Sequence, residues 1–417
     1  MKILHVVHQY LPEHVGGTEL YTYWAACGLV KQGHQIAIFH RRFAPGMGLD
    51  HTHTPDAGKI WSAWCGDMSA NKRFLATFKQ NYLSDAFRRV LDDAQPDIVH
   101  IQHLLGLPLE LINLLQPQNI PYLITLHDFW WVCANAQLLT NYSRKLCDGP
   151  QAYINCARCG LARAGRPNLW PAIPLLAAPL AWRNYRLRQV LNVADKIIAP
   201  SQFVRNWYVK HGIPSEKIVV IPHGLDSPDL PPNRARQLDR PLRFAYIGGL
   251  SWQKGVHVLL DAFNSLGQPA ELWIAGDESA EPDYATQLRR LASPGVRFLG
   301  KLEREEVWQT LYQVDVVVVP SLWYEAFSFI ISEAFAAGVP VIASQLGPLA
   351  ERVHHETDGL LVPPNDAQAL QAALLRFIQE PDLLSNLQTG IQPTWTMAEH
   401  IAELEALYKT ILNEHKD

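Results

Sequence analysis

Two carboxylates stand eight positions apart in the stretch Pro320-Ser-Leu-Trp-Tyr-Glu325-Ala-Phe-Ser-Phe-Ile-Ile-Ser-Glu333-Ala-Phe-Ala-Ala-Gly338. An apolar run from Asp315 to Val319 leads into it, and a second from Val339 to Ala343 leads out. The pattern predicts strand, loop, short helix, turn and strand. Glu325 falls in the loop, and Glu333 falls one to two turns into the helix. A helix start lies between the acids. Its free N–H groups favour a phosphate. At about 1.5 Å of rise per residue, Glu333 sits roughly 7 Å beyond the amides of Phe327 and Ser328. That span suits a diphosphate followed by a ribose. Amides in the middle and a carboxylate at each end are chemistry for a nucleotide sugar. A capped helix with two solvated acids is the plainer reading of the same residues.

Three further places carry reactive or anion-binding groups. Gly16-Gly17-Thr-Glu19 follows the first predicted strand and opens a helix, so its backbone can approach a ligand closely. Gly248-Gly249-Leu-Ser-Trp-Gln-Lys254-Gly255 follows another strand and presents Lys254, a mobile point charge suited to a leaving diphosphate. His127, in Thr125-Leu-His-Asp128, ends a strand and can hydrogen-bond a sugar hydroxyl. The bland alternative is a core histidine bonded to its neighbour Asp128. The fingerprint Gly-x-Gly-x-x-Gly is missing from the first strand–helix turn, which disfavours an oxidoreductase. No Asp-x-Asp pair occurs to hold a divalent metal on a diphosphate. The expected transfer is therefore metal-independent.

These groups must be positioned by alternating strands and helices. Lys2–Val7, Gln35–His40, 97–101, 121–126, 195–199 and 217–221 read as buried strands of a parallel, doubly wound sheet. A proline-rich stretch from Pro222 to Pro232 then reads as a linker. The series restarts with strands at Leu242–Ile247, 271–275, 296–299, 315–319 and 340–343. The fold class is thus α/β, with two tandem Rossmann-like domains, 1–222 and 223–396. Ligands are expected at the carboxyl ends of the strands. An amphipathic helix closes the chain at about 397–417.

The Glu325-x7-Glu333 segment resembles the signature of retaining glycosyltransferases of family 4, which have the GT-B fold. The resemblance spans nearly the whole chain. It implies a donor site in the cleft between the domains, with the final helix crossing back onto the first. It further implies that Glu333 accepts hydrogen bonds from the ribose, that Glu325 meets the donor sugar and that His127 touches that sugar. The loops at Gly16-Gly17, Gly248-Gly249 and Ala326-Phe327-Ser328 would then lie along the diphosphate. The loop Gly300-Lys-Leu302 would hold the base through its backbone. Two positions depart from the family. Ala326 stands where many members have glycine, and Gly249 stands where an arginine is usual. His223 stands where the related hinge has asparagine and reads as structural. The function implied is transfer of a hexosyl unit from a UDP- or GDP-linked sugar to a glycan or lipid-linked glycan, in cell-surface polysaccharide biosynthesis. A GT-B epimerase or hydrolase, or a non-catalytic glycan-binding relative, is the rival.

Composition fits that picture. The chain has 417 residues, 48% of them hydrophobic, and a net charge of −4. That charge argues against a nucleic-acid platform. The first residues read as a strand rather than a leader peptide, and no run is long and apolar enough to span a bilayer. A cytoplasmic location follows, at the inner face of the membrane if the acceptor is lipid-linked. Cys133, Cys147, Cys156 and Cys159 crowd one polar loop region, and the last two form Cys-x-x-Cys, so a structural zinc is expected there, with no cofactor for catalysis. The segment 169–188 is apolar, proline-broken and flanked by Arg163, Arg166, Arg183, Arg186 and Arg188. It suits either peripheral membrane contact or a buried hairpin.

Overall fold

A computed structural model describes residues 1–66, 70–228 and 240–415. The end of the proline-rich stretch falls within 229–239, which like the last two residues, 416–417, lies outside the described residues. The chain divides into two compact units. Unit 1 is Met1–Gly224 with Thr396–Asp417, and unit 2 is Leu225–Trp395.

Unit 1 is built on β1 (Lys2–Val7), β2 (Gln35–Arg41), β3 (Met47–Thr54), β4 (Gly58–Cys65), β5 (Ile98–Ile101), β6 (Tyr122–Thr125), β7 (Lys196–Ala199) and β8 (Ile218–Val220). Their order is β3-β4-β2-β1-β5-β6-β7-β8. All neighbours are parallel except β3 and β4. The central strands are nearly continuous apolar runs, because helices cover both faces of a parallel sheet. The β3–β4 hairpin was not expected from sequence. β3 reads Met-Gly-Leu-Asp-His-Thr-His-Thr, largely exposed, which suits an edge strand rather than a core one.

The closing helix Met397–Glu414 belongs to unit 1. It opens on a capping box between Thr396 and Glu399. Its buried face, Ile401, Leu404, Tyr408 and Ile411, packs on the helix Gly17–Lys31. A side chain at Gly28 would sit 2.6 Å from Ile401 Cγ1, so only glycine admits that approach. His400 Nε2 meets the Tyr21 hydroxyl at 2.9 Å, and the Tyr408 hydroxyl meets His100 Nδ1 at 2.7 Å.

Unit 2 has β9 (Leu242–Ile247), β10 (Ala270–Ala275), β11 (Val296–Gly300), β12 (Val316–Val319), β13 (Val341–Ser344) and β14 (Gly359–Val362). All are parallel, in the order β11-β10-β9-β12-β13-β14. Leu272, Ile274, Val316, Val318 and Ile342 fill the core on one face, and Ala245, Val317, Val341 and Ala343 fill it on the other.

Both sheets have a point where the winding reverses. In unit 1 it lies between β1 and β5, and in unit 2 between β9 and β12. At such a point the loops leaving two adjacent strands diverge and open a crevice at their carboxyl ends. The loops after β9 and β12 carry Lys254 and Glu325. The loops after β1 and β5 carry His8 and His103.

Candidate active site

In unit 2 the loop after β12 runs from Pro320 to Phe327, and Ser328 is the N-cap of the helix Phe329–Ala336. The Ser328 side chain makes no capping hydrogen bond to that helix. Glu325 is only 6% exposed. The Ser321 hydroxyl donates to it, and Lys254 Nζ lies 3.0 Å from its Oε1. The lysine also stands 5.5 Å from the centroid of the Trp323 ring. Its position is set by backbone. The Leu322 amide donates to the Gln253 carbonyl at 2.8 Å, stitching the two loops together. Gly255 has φ +72°, and a Cβ there would fall 1.9 Å from the Pro320 carbonyl oxygen. Only glycine lets the lysine loop come so close.

Glu333 is 4% exposed, and Arg304 Nη1 lies 2.6 Å from its Oε1. Burial pushes this carboxyl above the ordinary range, and Arg304 pulls it part of the way back. Sequence reasoning missed Arg304. It sits at the start of the helix Arg304–Leu311, just past Leu302 and the loop that follows β11. Arg352 was missed as well. Its guanidinium lies 4.0 Å from the centroid of the Phe327 ring and donates to Ser332 Oγ. Each acid is thus paired with one cation, and a third cation, Arg352, lies beside the helix start between them.

The Gly248-Gly249 loop differs from the expectation in one respect. The Gly248 amide already donates to the Ala275 carbonyl at 3.0 Å, so it is not offered to a diphosphate. Gly249 is exposed, its carbonyl accepts from the Tyr246 hydroxyl at 2.7 Å, and a Cβ there would meet nothing within 4 Å. A side chain at this position would start into open space. Gly249→Arg is expected to tighten nucleotide-sugar binding by about tenfold, the scale of one added charged contact to phosphate. Titration calorimetry of wild type against variant checks it.

In unit 1, Gly16 is the N-cap of the helix Gly17–Lys31. Glu19, in its first turn, is 2% exposed, and burial raises its carboxyl above the usual range. His8 Nε2 lies 3.6 Å from Glu19 Oε1, and the His8 and His103 rings stand 4.4 Å apart. His103 Nε2 is 3.2 Å from Asp128 Oδ2. Burial alone would raise the Asp128 carboxyl, but His103 and the Trp130 amide hold it below its ordinary value. Asp128 is therefore not the partner of His127. His127 Nε2 instead donates to Gln102 Oε1 at 2.8 Å, and Gln102 Nε2 donates to His5 Nδ1 at 3.0 Å. Burial, with His103 nearby, lowers His127 to about 3, so the ring is neutral at pH 7. The His223 ring packs 5.0 Å from it. His8, Gln102 and His103 escaped the sequence reading. The signal was available, since each follows a strand as His127 does.

Three of the four thiols expected to share a zinc, Cys147, Cys156 and Cys159, have polar neighbours. Cys159 Sγ accepts from Asn135 Nδ2 at 3.0 Å and from the Asn141 amide at 3.2 Å, and Cys147 donates to the Gly149 carbonyl at 3.4 Å. Burial and the other three thiols push Cys156 up to about 12. Among the described residues no three histidine, cysteine or carboxylate groups converge to hold a metal ion.

A family model described as Glycosyltransferase Family 4 matches residues 15–227, more than half of the chain. A second, described as Glycosyl transferases group 1, matches 241–380. The chain belongs to this family of glycosyltransferases, with a GT4-type first domain and a group 1 second domain. It is 25% identical over 386 residues to a glycogen synthase of Mycobacterium tuberculosis, covering 91% of this chain and 87% of that one. It is 24% identical over 381 residues to the O-antigen chain mannosyltransferase C of Escherichia coli, covering 90% and 88%. Among solved structures it is similar to sucrose-phosphate synthase of Thermosynechococcus elongatus, with TM-score 0.70, 21% identity and 99% of both chains covered. It is also similar to Anabaena Alr3699/HepE in complex with UDP and glucose, with TM-score 0.66, 19% identity and coverage of 98% and 100%. These structural likenesses establish the GT-B fold. No helix among the described residues is long and apolar enough to cross a membrane.

Proposed function

We propose that this glycosyltransferase moves a hexosyl unit from a nucleotide diphosphate sugar to a hydroxyl of a glycan or lipid-linked glycan, with retention at the anomeric carbon. The observation that carries the reading is the pair of buried carboxylates, each held by a cation, on either side of an uncapped helix start. In this reading Glu333 accepts from the ribose hydroxyls and Glu325 from the donor sugar. The first amides of the helix and Lys254 take the diphosphate, and Leu302 lies beside the base. The bond from the anomeric carbon to the phosphate oxygen breaks as the acceptor oxygen bonds to that carbon. The leaving phosphate takes the acceptor's proton. Lys254 stabilises the charge that develops on that phosphate, without a divalent metal. Both acids are already engaged by cations, so neither is assigned as a covalent nucleophile. The neutral His127 ring supplies a hydrogen bond to a sugar hydroxyl. His8, His103, Glu19 and Asp128 are the groups of unit 1 suited to acceptor hydroxyls.

The test is a panel of UDP-, GDP- and ADP-linked sugars with candidate acceptors, followed by determination of the anomeric configuration of the product. Sugar released or isomerised without an acceptor would sink the transfer reading, and inversion would sink the retaining one. Glu333→Ala is expected to weaken binding of the active donor by about 1–3 kcal/mol, the range for a lost charge-assisted hydrogen bond. Calorimetry measures it, and unchanged affinity would remove Glu333 from the ribose site.

A further inference from the structure

One surface of unit 1 has no part in the proposed transfer. The turn Pro167–Ala172 and the helix Ile173–Val193 expose large apolar side chains side by side in sequence. Leu169 is 47% exposed, Trp170 70%, Leu175 77%, Leu176 36% and Trp182 47%. The Trp182 ring packs 4.2 Å from Phe78, which brings in Leu75, itself 65% exposed. Exposed apolar side chains grouped in this way mark a surface made to be covered.

The charge around it is one-sided. Between Asp148 and Asp195 the chain has no Asp or Glu, but it has six arginines. Arg158, Arg163, Arg166 and Arg188 are exposed, and Arg186 lies beside the Trp182 ring, 5.4 Å from its centroid. Arg183 is the exception. It is buried, donates to the Trp130 carbonyl at 2.7 Å and serves the core. The chain as a whole carries a net charge of −4, so this positive region is local.

We propose that this face docks on an anionic phospholipid surface, with Trp170, Leu175 and Leu176 entering the interface and the arginines meeting the headgroup phosphates. Exposed tryptophan and leucine interspersed with arginine is a composition that suits a bilayer interface. The helix does not span, since no described helix is long and apolar enough. A second copy of this chain is a poor occupant. Pairing the face with itself would set arginine against arginine with no acid between.

The proposal does not rest on the donor chemistry, and the test keeps them apart. The full chain is sedimented with vesicles of phosphatidylcholine alone and of phosphatidylcholine mixed equally with phosphatidylglycerol. Binding to the mixed vesicles is expected to be at least about tenfold tighter and to fall as salt rises. Trp170→Ser with Leu175→Ser, both at exposed positions, is expected to weaken it by about tenfold or more, following the lost apolar insertion. Arg166→Glu is expected to weaken binding to the mixed vesicles alone. Thermal midpoints, measured in parallel, stay unchanged and show that the variants fold. Equal binding of wild type to both vesicles, no binding to either, or a double serine variant that binds like wild type would overturn the proposal. So would self-association of wild type that the double variant abolishes in the absence of vesicles.

Discussion

Replacing Lys254 with alanine is expected to lower turnover by about two to three orders of magnitude, the loss found when one preorganised charge-stabilising group is removed. The lysine reaches its place only because Gly255 lies against the Pro320 carbonyl and the Gln253 and Leu322 backbones are bonded. Its charge matters most when the diphosphate departs, so turnover should fall further than donor affinity. Stability will fall too, because Glu325 is buried and loses a partner 3.0 Å away. That loss is about 1–3 kcal/mol, with Ser321 still donating to the carboxylate. The double variant Lys254→Ala with Glu325→Gln separates the effects. Its thermal midpoint should recover while turnover stays low. If turnover under saturating donor stays within a few-fold of wild type in Lys254→Ala, the phosphate charge is handled by other groups.

Acid should unfold unit 1 before unit 2. Burial lowers His5 and His127 to about 3, and His40 and His400 to about 4. In the unfolded chain each titrates near 6.5, so between these limits the native state binds fewer protons than the unfolded one. The stability of unit 1 is therefore complete above about pH 6.5 and is lost as pH falls toward 4. A tenfold difference in proton affinity between the folded and unfolded chain is worth about 1.4 kcal/mol, so by about pH 5 these four rings together remove several kcal/mol. That is comparable with the whole stability of a domain, about 5–15 kcal/mol. Among the described residues of unit 2 no histidine is buried. Hydrogen exchange across a pH series should show the sheet β1–β8 losing protection first, with β9–β14 still protected. Simultaneous loss in both units, only below about pH 3, would show that these rings are not held neutral in the native state.

The parts of the candidate site whose placement is legible in the sequence are local ones. A strand, a loop and a helix written in one run place Glu325, Ser328 and Glu333 relative to one another, because strand and helix geometry alone set those distances. The same holds for Lys254-Gly255, where a turn between strand and helix presents a cation. Buried parallel strands such as Val316–Val319 announce themselves as unbroken apolar runs. The β3–β4 hairpin and β14 did not, since short or half-polar strands lack that signature.

What the tertiary structure decided is partnership. Arg304 lies 29 positions from Glu333. His8 and His103 meet because β1 and β5 are neighbours in the sheet. His127 turns to Gln102 and leaves Asp128 to His103. Arg183, one of five arginines in a basic run, goes inward while the others stay near solvent. Cys147 and Cys159, close in sequence, point their sulfurs at separate polar neighbours. Spacing along a chain determines distances only within one element and its adjoining loop. Which distant side chains face each other depends on sheet order and on which face each residue of a turn presents, and those follow from packing the whole unit around its core.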